Sequence, residues 1–452
     1  MTQNHPLPKG WYLAPLSSVG KWGSGGTPTR TNPKYYDNGT IPWLVIGDLN
    51  EGYIKTATTF ITEDGLENSS AKLLQKGTLL VAMYGSIGKT GITALPCATN
   101  QAIAHCTPNE GINLHYLHRA IQNIKPHLIS LGKGGTQQNI SQTILKDQKI
   151  PLPPTNEQRR IADKLDRVLA RVDAANEHLS RIAPLIKRFR QSVLAAATSG
   201  RLTTDWKTGR KSEPWDKIAI HEVAEVGTGS TPLRTNRAFY ADKGTPWITS
   251  SATQKDIVDS SENHVTQEAI QAHRLKLYPP GTLLIAMYGE GKTRGQVTEL
   301  GIHATINQAC AAIRITSNKT HPKFVKLALK ARYNEMRDMA EGGNQPNLNL
   351  QKVKNFAIPL PSFEEQSEIV RRVEKLFAFA DRLEERLSQA QAAVQKLTPA
   401  LLAKAFRGEL VPQDPNDEPA SELLKRLQES RANDTKPRRA RKPRATSAGE
   451  PS

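Results

Sequence analysis

Two stretches of this chain place apolar residues at a seven-residue interval. Between about Asn156 and Thr198 one seam position holds Leu165, Val172, Leu179, Ile186 and Val193, and the other holds Val168, Ala175, Ile182, Phe189 and Ala196. Between about Glu364 and Phe406 the matching sets are Val373, Ala380, Leu387, Val394 and Leu401, then Leu376, Leu383, Ala390 and Leu397, with Lys404 breaking the second set. This regularity predicts one long helix in each stretch. A polar helix with a single narrow apolar stripe is not stable alone, so the pair predicts an antiparallel coiled coil. About 40 residues at 1.5 Å per residue make a rod of roughly 60 Å. Pro184 and Pro399 each remove a backbone donor and are expected to kink or interrupt it.

The stretches ahead of these helices have a different pattern. Short β-rich runs, such as 77–84 and 281–288, alternate with Gly/Pro/Asn turns and short helical patches, which predicts α+β domains. Each ends at a proline-rich stop, at 151–154 and 359–361. The two halves are copies. Trp11, Tyr36, Trp43 and Ala82-Met83-Tyr84-Gly85 recur 204 positions later as Trp215, Tyr240, Trp247 and Ala286-Met287-Tyr288-Gly289. Glu157-Gln158 and Gly200 recur 208 positions later as Glu365-Gln366 and Gly408. A period this long marks a duplicated domain rather than a solenoid repeat, and two such units are expected to pack about a pseudo-two-fold axis. The recurring tryptophans point to core packing rather than base stacking.

Charge alters the picture. The chain carries a formal +18, of which the segment from Arg431 to Ser452 supplies +5, so the body is itself basic. A field of that sign favours polyanions, nucleic acid first, although a solvated basic surface gives the same composition. Cys97, Cys106 and Cys310 form no CxxC pair, which argues against a disulfide scaffold or structural zinc. No stretch approaches the ~20 apolar residues of a membrane span, and the N-terminus lacks a signal-peptide core. A cytoplasmic protein is expected.

The ordered set of Gly25-Gly26-Thr27-Pro28, Ile41-Pro42-Trp43, the run 150–158 ending in Glu157-Gln158, and the run 189–197 resembles the specificity subunits of type I restriction-modification systems. So do their counterparts Gly229-Ser230-Thr231-Pro232, Thr245-Pro246-Trp247, 358–366 and 405–421. The resemblance covers about residues 8–428. It implies a target-recognition domain at 1–153, a spacer helix at 154–200, a linker at 201–212 and a second recognition domain at 213–361. A second spacer helix at 362–407, a C-terminal segment at 408–430 and a basic disordered tail at 431–452 complete that division. It further implies a non-catalytic chain. Each recognition domain reads one half of a split duplex-DNA target, and the helices set the spacer and dock two modification subunits that methylate adenine. S-adenosylmethionine belongs to those subunits, and ATP and Mg to partner restriction subunits. No methyl-donor loop or Asn/Asp-Pro-Pro-Tyr/Phe tetrapeptide is found in the chain; Asn32-Pro33-Lys34-Tyr35 has lysine at the third position. The alternative is a coiled-coil DNA-binding regulator without catalytic partners.

Two loop types carry candidate chemistry. The runs ending in Gly88-Lys89-Thr90 and Gly291-Lys292-Thr293 suggest a phosphate loop, but Met83 and Ala286 stand where its first glycine is required. Gly-rich turns then place Lys89, Thr90, Lys292, Thr293 and Arg294 on a mobile surface, either to donate to phosphates or simply to close a hairpin. Lys133, Gln137, Gln138 and Asn139 in one half, and Asn344, Gln345 and Asn347 in the other, have side chains able to bond base edges or to cap a turn. Glycines, prolines, aromatics and apolar runs are shared between the halves, whereas polar loops such as 46–50 and 249–253 diverge. Two readers of different sequences require that division, so an asymmetric bipartite target is expected. The basic face of the first helix and the basic tail either add phosphate contacts or are solvated.

Overall fold

The structure, a computed structural model, describes residues 6–133, 138–210, 214–289, 293–340 and 347–434. The two halves repeat one topology. In the first, a five-stranded sheet runs in the order Gly20–Ser24, Ile103–Pro108, Leu79–Ala82, Thr90–Thr93 and Tyr53–Ile54, antiparallel except for the last pair. In the second the order is Ala224–Thr228, Cys310–Ile315, Leu283–Ala286, Val297–Leu300 and Ile257–Val258. The central strands Leu79–Ala82 and Leu283–Ala286 are buried at every position, which explains their unbroken apolar runs. One sheet face is covered by the helix Leu114–Ser130 in the first half and by Pro322–Ala331 in the second.

A smaller sheet abuts each larger one. In the first half it comprises Phe60–Ile61, Ile41–Leu44 and Ala98–Thr99; in the second, Tyr240–Ala241, His264–Val265, Thr245–Ile248 and Thr305–Ile306. The repeated aromatics fasten these sheets. Trp43 and Trp247 are buried and donate their indole N–H groups to Gly26 O (3.0 Å) and Ser230 O (3.2 Å). The Tyr36 and Tyr240 hydroxyls donate to Pro28 O and Pro232 O, both at 2.7 Å. The Gly-Gly-Thr-Pro and Gly-Ser-Thr-Pro turns are thus docking points for aromatic donors.

Each half ends in an antiparallel ribbon that pairs Tyr12–Pro15 with Lys149–Leu152, or Asp216–Ala219 with Ala357–Leu360. From there the chain enters a 44-residue helix, Thr155–Thr198 or Phe363–Phe406. Both helices continue through Pro184 and Pro399, so the expected interruption does not occur. All ten seam residues of the first helix are buried or half-buried. In the second helix the pattern slips: Leu397 is 44% exposed, and Leu402, Ala405 and Phe406 are buried instead. The physical reason is that these last residues pack into a globular core with Trp11 and Tyr116 rather than along a helix seam.

The chain forms two compact units, one of residues Met1–His178 with Ala390–Ser452 and the other of Leu179–Gln389. In the second unit Val193 clusters with Ile369, Val370 and Val373, while Ile186 clusters with Ala380 and Leu387, so the helices pack antiparallel. Arg190 bridges Asp381 at 2.6 Å and Glu384 at 3.1 Å beside that seam. In the first unit Leu165, Leu169, Leu402 and Phe406 share one core with the recognition domain. A helix, Ala420–Asp434, adds Ala420, Leu423 and Leu424 to this core. The helix runs past Arg431, where the basic tail was expected to start, and residues 435–452 lie outside the described residues.

Candidate nucleic-acid interface

The Glu-Gln pair that opens each long helix attaches the recognition domain to it. Glu157 accepts from Trp11 Nε1 at 3.0 Å, while Gln158 accepts from Asn113 N at 2.8 Å and donates to Pro153 O at 3.0 Å. Glu365 accepts from Trp215 Nε1 at 3.0 Å, and Gln366 accepts from His321 N at 2.7 Å and donates to Pro361 O at 2.8 Å. These buried and partly buried bonds, the two to glutamate and the four made by glutamine, fix each domain's orientation on its own helix.

At the end of the strand Leu79–Ala82 the chain turns sharply, with positive φ at Gly85 (62°) and Gly88 (74°). A second loop lies beside this turn. Lys133 and Asn139 exchange backbone bonds of 3.0 and 2.9 Å, Gly85 N donates to Gln138 O at 3.1 Å, and Ile140 N donates to Met83 O at 2.9 Å. The two candidate loops, about fifty residues apart in sequence, are thus one surface. Lys133, Gln138 and Asn139 are exposed, and Lys89 is half-buried with its ammonium 3.4 Å from Ile46 O. Lys89, Ser86 and Gln138 line a cleft of about 320 Å³ together with Glu51 and Lys125.

Thr90 is not on that surface. It is fully buried, donating to Glu51 at 2.6 Å and lying 2.9 Å from His118 Nε2. The residue belongs to a strand, and its hydroxyl serves the polar shelf beneath the loop. Within the shelf Glu51 meets Lys125 at 2.6 Å and Gln122 at 3.0 Å. Burial alone would raise the Glu51 pKa, but bonds from Lys125, Thr90 and Gln122 outweigh it and hold the carboxyl below its ordinary value. Burial, aided by Arg119, pulls His118 down to about 4, so its ring is neutral at physiological pH.

The second half repeats the strand ends around the turn, but the turn is three residues longer: Gly88 N donates to Ala82 O six residues back at 2.9 Å, and Gly295 N to Ala286 O nine residues back at 2.8 Å. Leu348 N donates to Met287 O at 3.1 Å, the counterpart of the Ile140 bond, and brings Asn347 to the same place. Thr293, Arg294 and Asn347 are half-buried. Gln137, Lys292, Asn344 and Gln345 lie outside the described residues. Lys326 and Lys330, at the repeat positions of His118 and Gln122, face Asp256, and Lys326 also meets Glu299 at 3.1 Å. The shelf changes from a largely neutral network around one ion pair to a lysine-carboxylate cluster, and the loops above it change in chemistry as well.

Glu51 and Lys125 are not legible in sequence because they become neighbours of the loops only through the sheet and the helix Leu114–Ser130, whereas Ser86 lies on the first loop itself. Tyr84 and Tyr288, which recur at the same spacing, stand at the start of these loops and are each 38% exposed. Among the described residues no group of three or more His, Cys, Asp or Glu side chains is placed to hold a metal ion. Nor is any described helix long and apolar enough to cross a membrane.

A duplicated α+β domain, each copy followed by a long helix and carrying a loop surface with its own side chains, defines a recognition protein with two reading domains. The type I restriction modification DNA specificity domain matches this chain twice, at residues 8–183 and 212–390, and the chain belongs to that family. It is 27% identical to the StySPI specificity subunit of Salmonella potsdam, over 94% of this chain and 96% of that one. It is 32% identical to the EcoBI specificity subunit of Escherichia coli, over 78% of this chain and 80% of the relative. In fold it is similar to a chain solved in a study of complex assembly in the type I R-M system (TM-score 0.68, 19% identity, covering 90% of this chain and all of that one). The HsdS subunit from Thermoanaerobacter tengcongensis has the same fold (TM-score 0.59, 19% identity, with the same coverage).

Proposed function

We propose that this chain reads an asymmetric, two-part duplex-DNA target in the cytoplasm and directs adenine methylation and restriction there by partner subunits, without catalysing either reaction itself. The observation that carries the reading is one strand framework with two different loop sets: Ile140 N bonds Met83 O and Leu348 N bonds Met287 O in the same way, while the turns at Gly85 and Gly289 and the residues around them differ. Identical readers would favour a palindrome; unlike readers favour two different half-sites. Basic charge supplies salt-sensitive phosphate attraction, and loop amides and cations supply base discrimination. Lys89, Lys133, Gln138, Asn139, Thr293, Arg294 and Asn347 are the described candidates for these contacts.

In this reading two modification subunits carry S-adenosylmethionine, and restriction subunits carry ATP and Mg. Base-resolved methylation sequencing tests it, using cells that express the candidate methyltransferase subunit with and without this chain. A split adenine-methylated motif that disappears with the chain is the expected result. An unchanged pattern from a competent methyltransferase would reject the reading for that pair and favour a DNA-binding regulator. Replacing residues 8–150 by the same domain of a relative should change one half of the motif only.

A further inference from the structure

Four aromatic pairs recur identically at the 204-residue spacing, and three have structural work. Trp11 and Trp215 bond the helix-opening glutamates, Trp43 and Trp247 bond the Gly/Ser turns, and Tyr36 and Tyr240 bond proline carbonyls. Tyr84 and Tyr288 differ. Each is 38% exposed, and neither hydroxyl bonds to another described residue. Packing accounts for the covered part of each residue but not for the 38% that both keep in water.

Their setting is also matched. Each ring follows a buried strand and precedes a glycine of positive φ, Gly85 at 62° and Gly289 at 141°. A Cβ on Gly85 would meet nothing within 4 Å, so the glycine serves the turn rather than a close approach. Each ring is accompanied by an asparagine, Asn139 or Asn347, whose following residue is bonded to the methionine before the tyrosine. The Tyr84 and Asn139 backbones form a bridge directly.

A surface feature kept identical in two readers of unlike chemistry performs a task that does not depend on base identity. Contacts to phosphate and sugar hold duplex DNA without reading its bases. We infer that Tyr84 with Asn139, and Tyr288 with Asn347, form a common DNA grip on each recognition domain, the ring packing on a deoxyribose face and the amide and phenol donating to the phosphate backbone. The inference rests on the DNA-recognition reading above. The varied residues around the grip then do the discriminating.

The test uses the whole chain assembled with its methyltransferase subunits and duplexes carrying the split motif found by methylation sequencing. Tyr84→Ala and Tyr288→Ala should each weaken binding about tenfold. Duplexes scrambled in the other half should lose the same factor, the methylated motif should stay unchanged, and Tyr84→Phe should retain most of the affinity. Tyr84→Phe, which keeps the covered ring contacts, should leave thermal unfolding unaltered and so separates the grip from a packing loss in the alanine variants. An altered motif would make the tyrosine a base reader and overturn the proposal. Unchanged affinity would also overturn it, as would loss of methyltransferase capture in the absence of DNA. Failure of the wild-type assembly to methylate any split motif would instead sink the DNA-recognition reading, before any variant is compared.

Discussion

The Trp11 indole donates to Glu157 across 146 residues of chain, at 3.0 Å, and the two copies of this bond are not equally supported. Glu365, the partner of Trp215, also accepts from Thr203 at 2.7 Å and meets Lys207 at 2.8 Å. At the repeat position of Thr203 the first unit has Val411, which has no donor side chain, and Glu157 Oε1 has no hydrogen-bond partner among the described residues. Burial raises the Glu157 pKa, against the opposing pull of Trp11 and Arg160.

The sign of the consequence follows from linkage. A carboxyl whose folded pKa lies above its unfolded value of 4.5 holds its proton better in the folded chain, so stability falls as pH rises from that value through the raised one. Glu157→Gln keeps an acceptor for Trp11 and removes the ionisation, so at pH 7 it should change stability by less than about 1 kcal/mol, in either direction. Glu365→Gln strands Lys207 and should cost about 2 kcal/mol. Urea unfolding followed by tryptophan fluorescence at pH 7 and pH 4.5 measures both; an equal loss in the two variants would contradict the asymmetry.

The Glu51 network predicts the opposite pH trend. Its folded pKa is depressed, so its contribution is fully present above about 4.5 and is lost as pH falls through the lower folded value. Lys125→Met should destabilise the first unit by about 1–3 kcal/mol at pH 7 and flatten its acid sensitivity, because the carboxylate loses its cation. Hydrogen exchange in the helix Leu114–Ser130 at neutral and acidic pH would show this, and an undiminished acid sensitivity would count against it.

The Gly-Gly-Thr-Pro and Gly-Ser-Thr-Pro turns make a sharper claim. A Cβ on Gly25 would overlap the Thr99 carbonyl oxygen, and one on Gly229 the Ile306 carbonyl oxygen, whereas one on Gly47 meets nothing within 4 Å. Gly25→Ala and Gly229→Ala should each cost about 1–3 kcal/mol or more through backbone displacement. Gly47→Ala should lie within about 0.5 kcal/mol of the parent. Calorimetric unfolding of the three variants ranks them directly.

How much was legible depended on the range of the contacts. The heptad stripes showed because a helix seam is written in local periodicity: Leu165 and Ile186 are buried where the stripe puts them. Leu397 failed because the end of the second helix answers to a distant core, and a seven-residue count cannot register Trp11 or Tyr116 waiting there. Thr90 failed for a related reason, since a Gly-Lys-Thr turn reads as surface until His118 and Glu51 close over the hydroxyl. The loops at Gly85 and Asn139 were recognised separately; only the backbone bonds join them. The division into units was equally hidden, because it does not follow chain order.

That non-sequential division gives the last prediction. The first unit is completed by residues beyond the second long helix: Ala420 N donates to Gly10 O at 2.9 Å, Asp417 bridges Arg160 at 2.6 Å, and Leu423 packs into the core beside Gly111. The second unit is completed in the same way by the segment after the first helix, through Thr203 and Lys207 on Glu365 and through Asp205 on Arg372 at 2.6 Å. Each recognition domain is therefore closed by the segment that follows the other domain's helix. Truncation after Arg407 should unfold the first unit locally while leaving the second intact, although the cut lies next to the second helix in sequence. Leu423→Ala should reproduce part of the effect at about 2–4 kcal/mol. Hydrogen exchange resolved to Tyr12–Pro15 and Asp216–Ala219 separates the outcomes: loss of protection at the first strand alone fits the closure described here, while loss at the second would mean that the C-terminal segment stabilises its sequence neighbour instead.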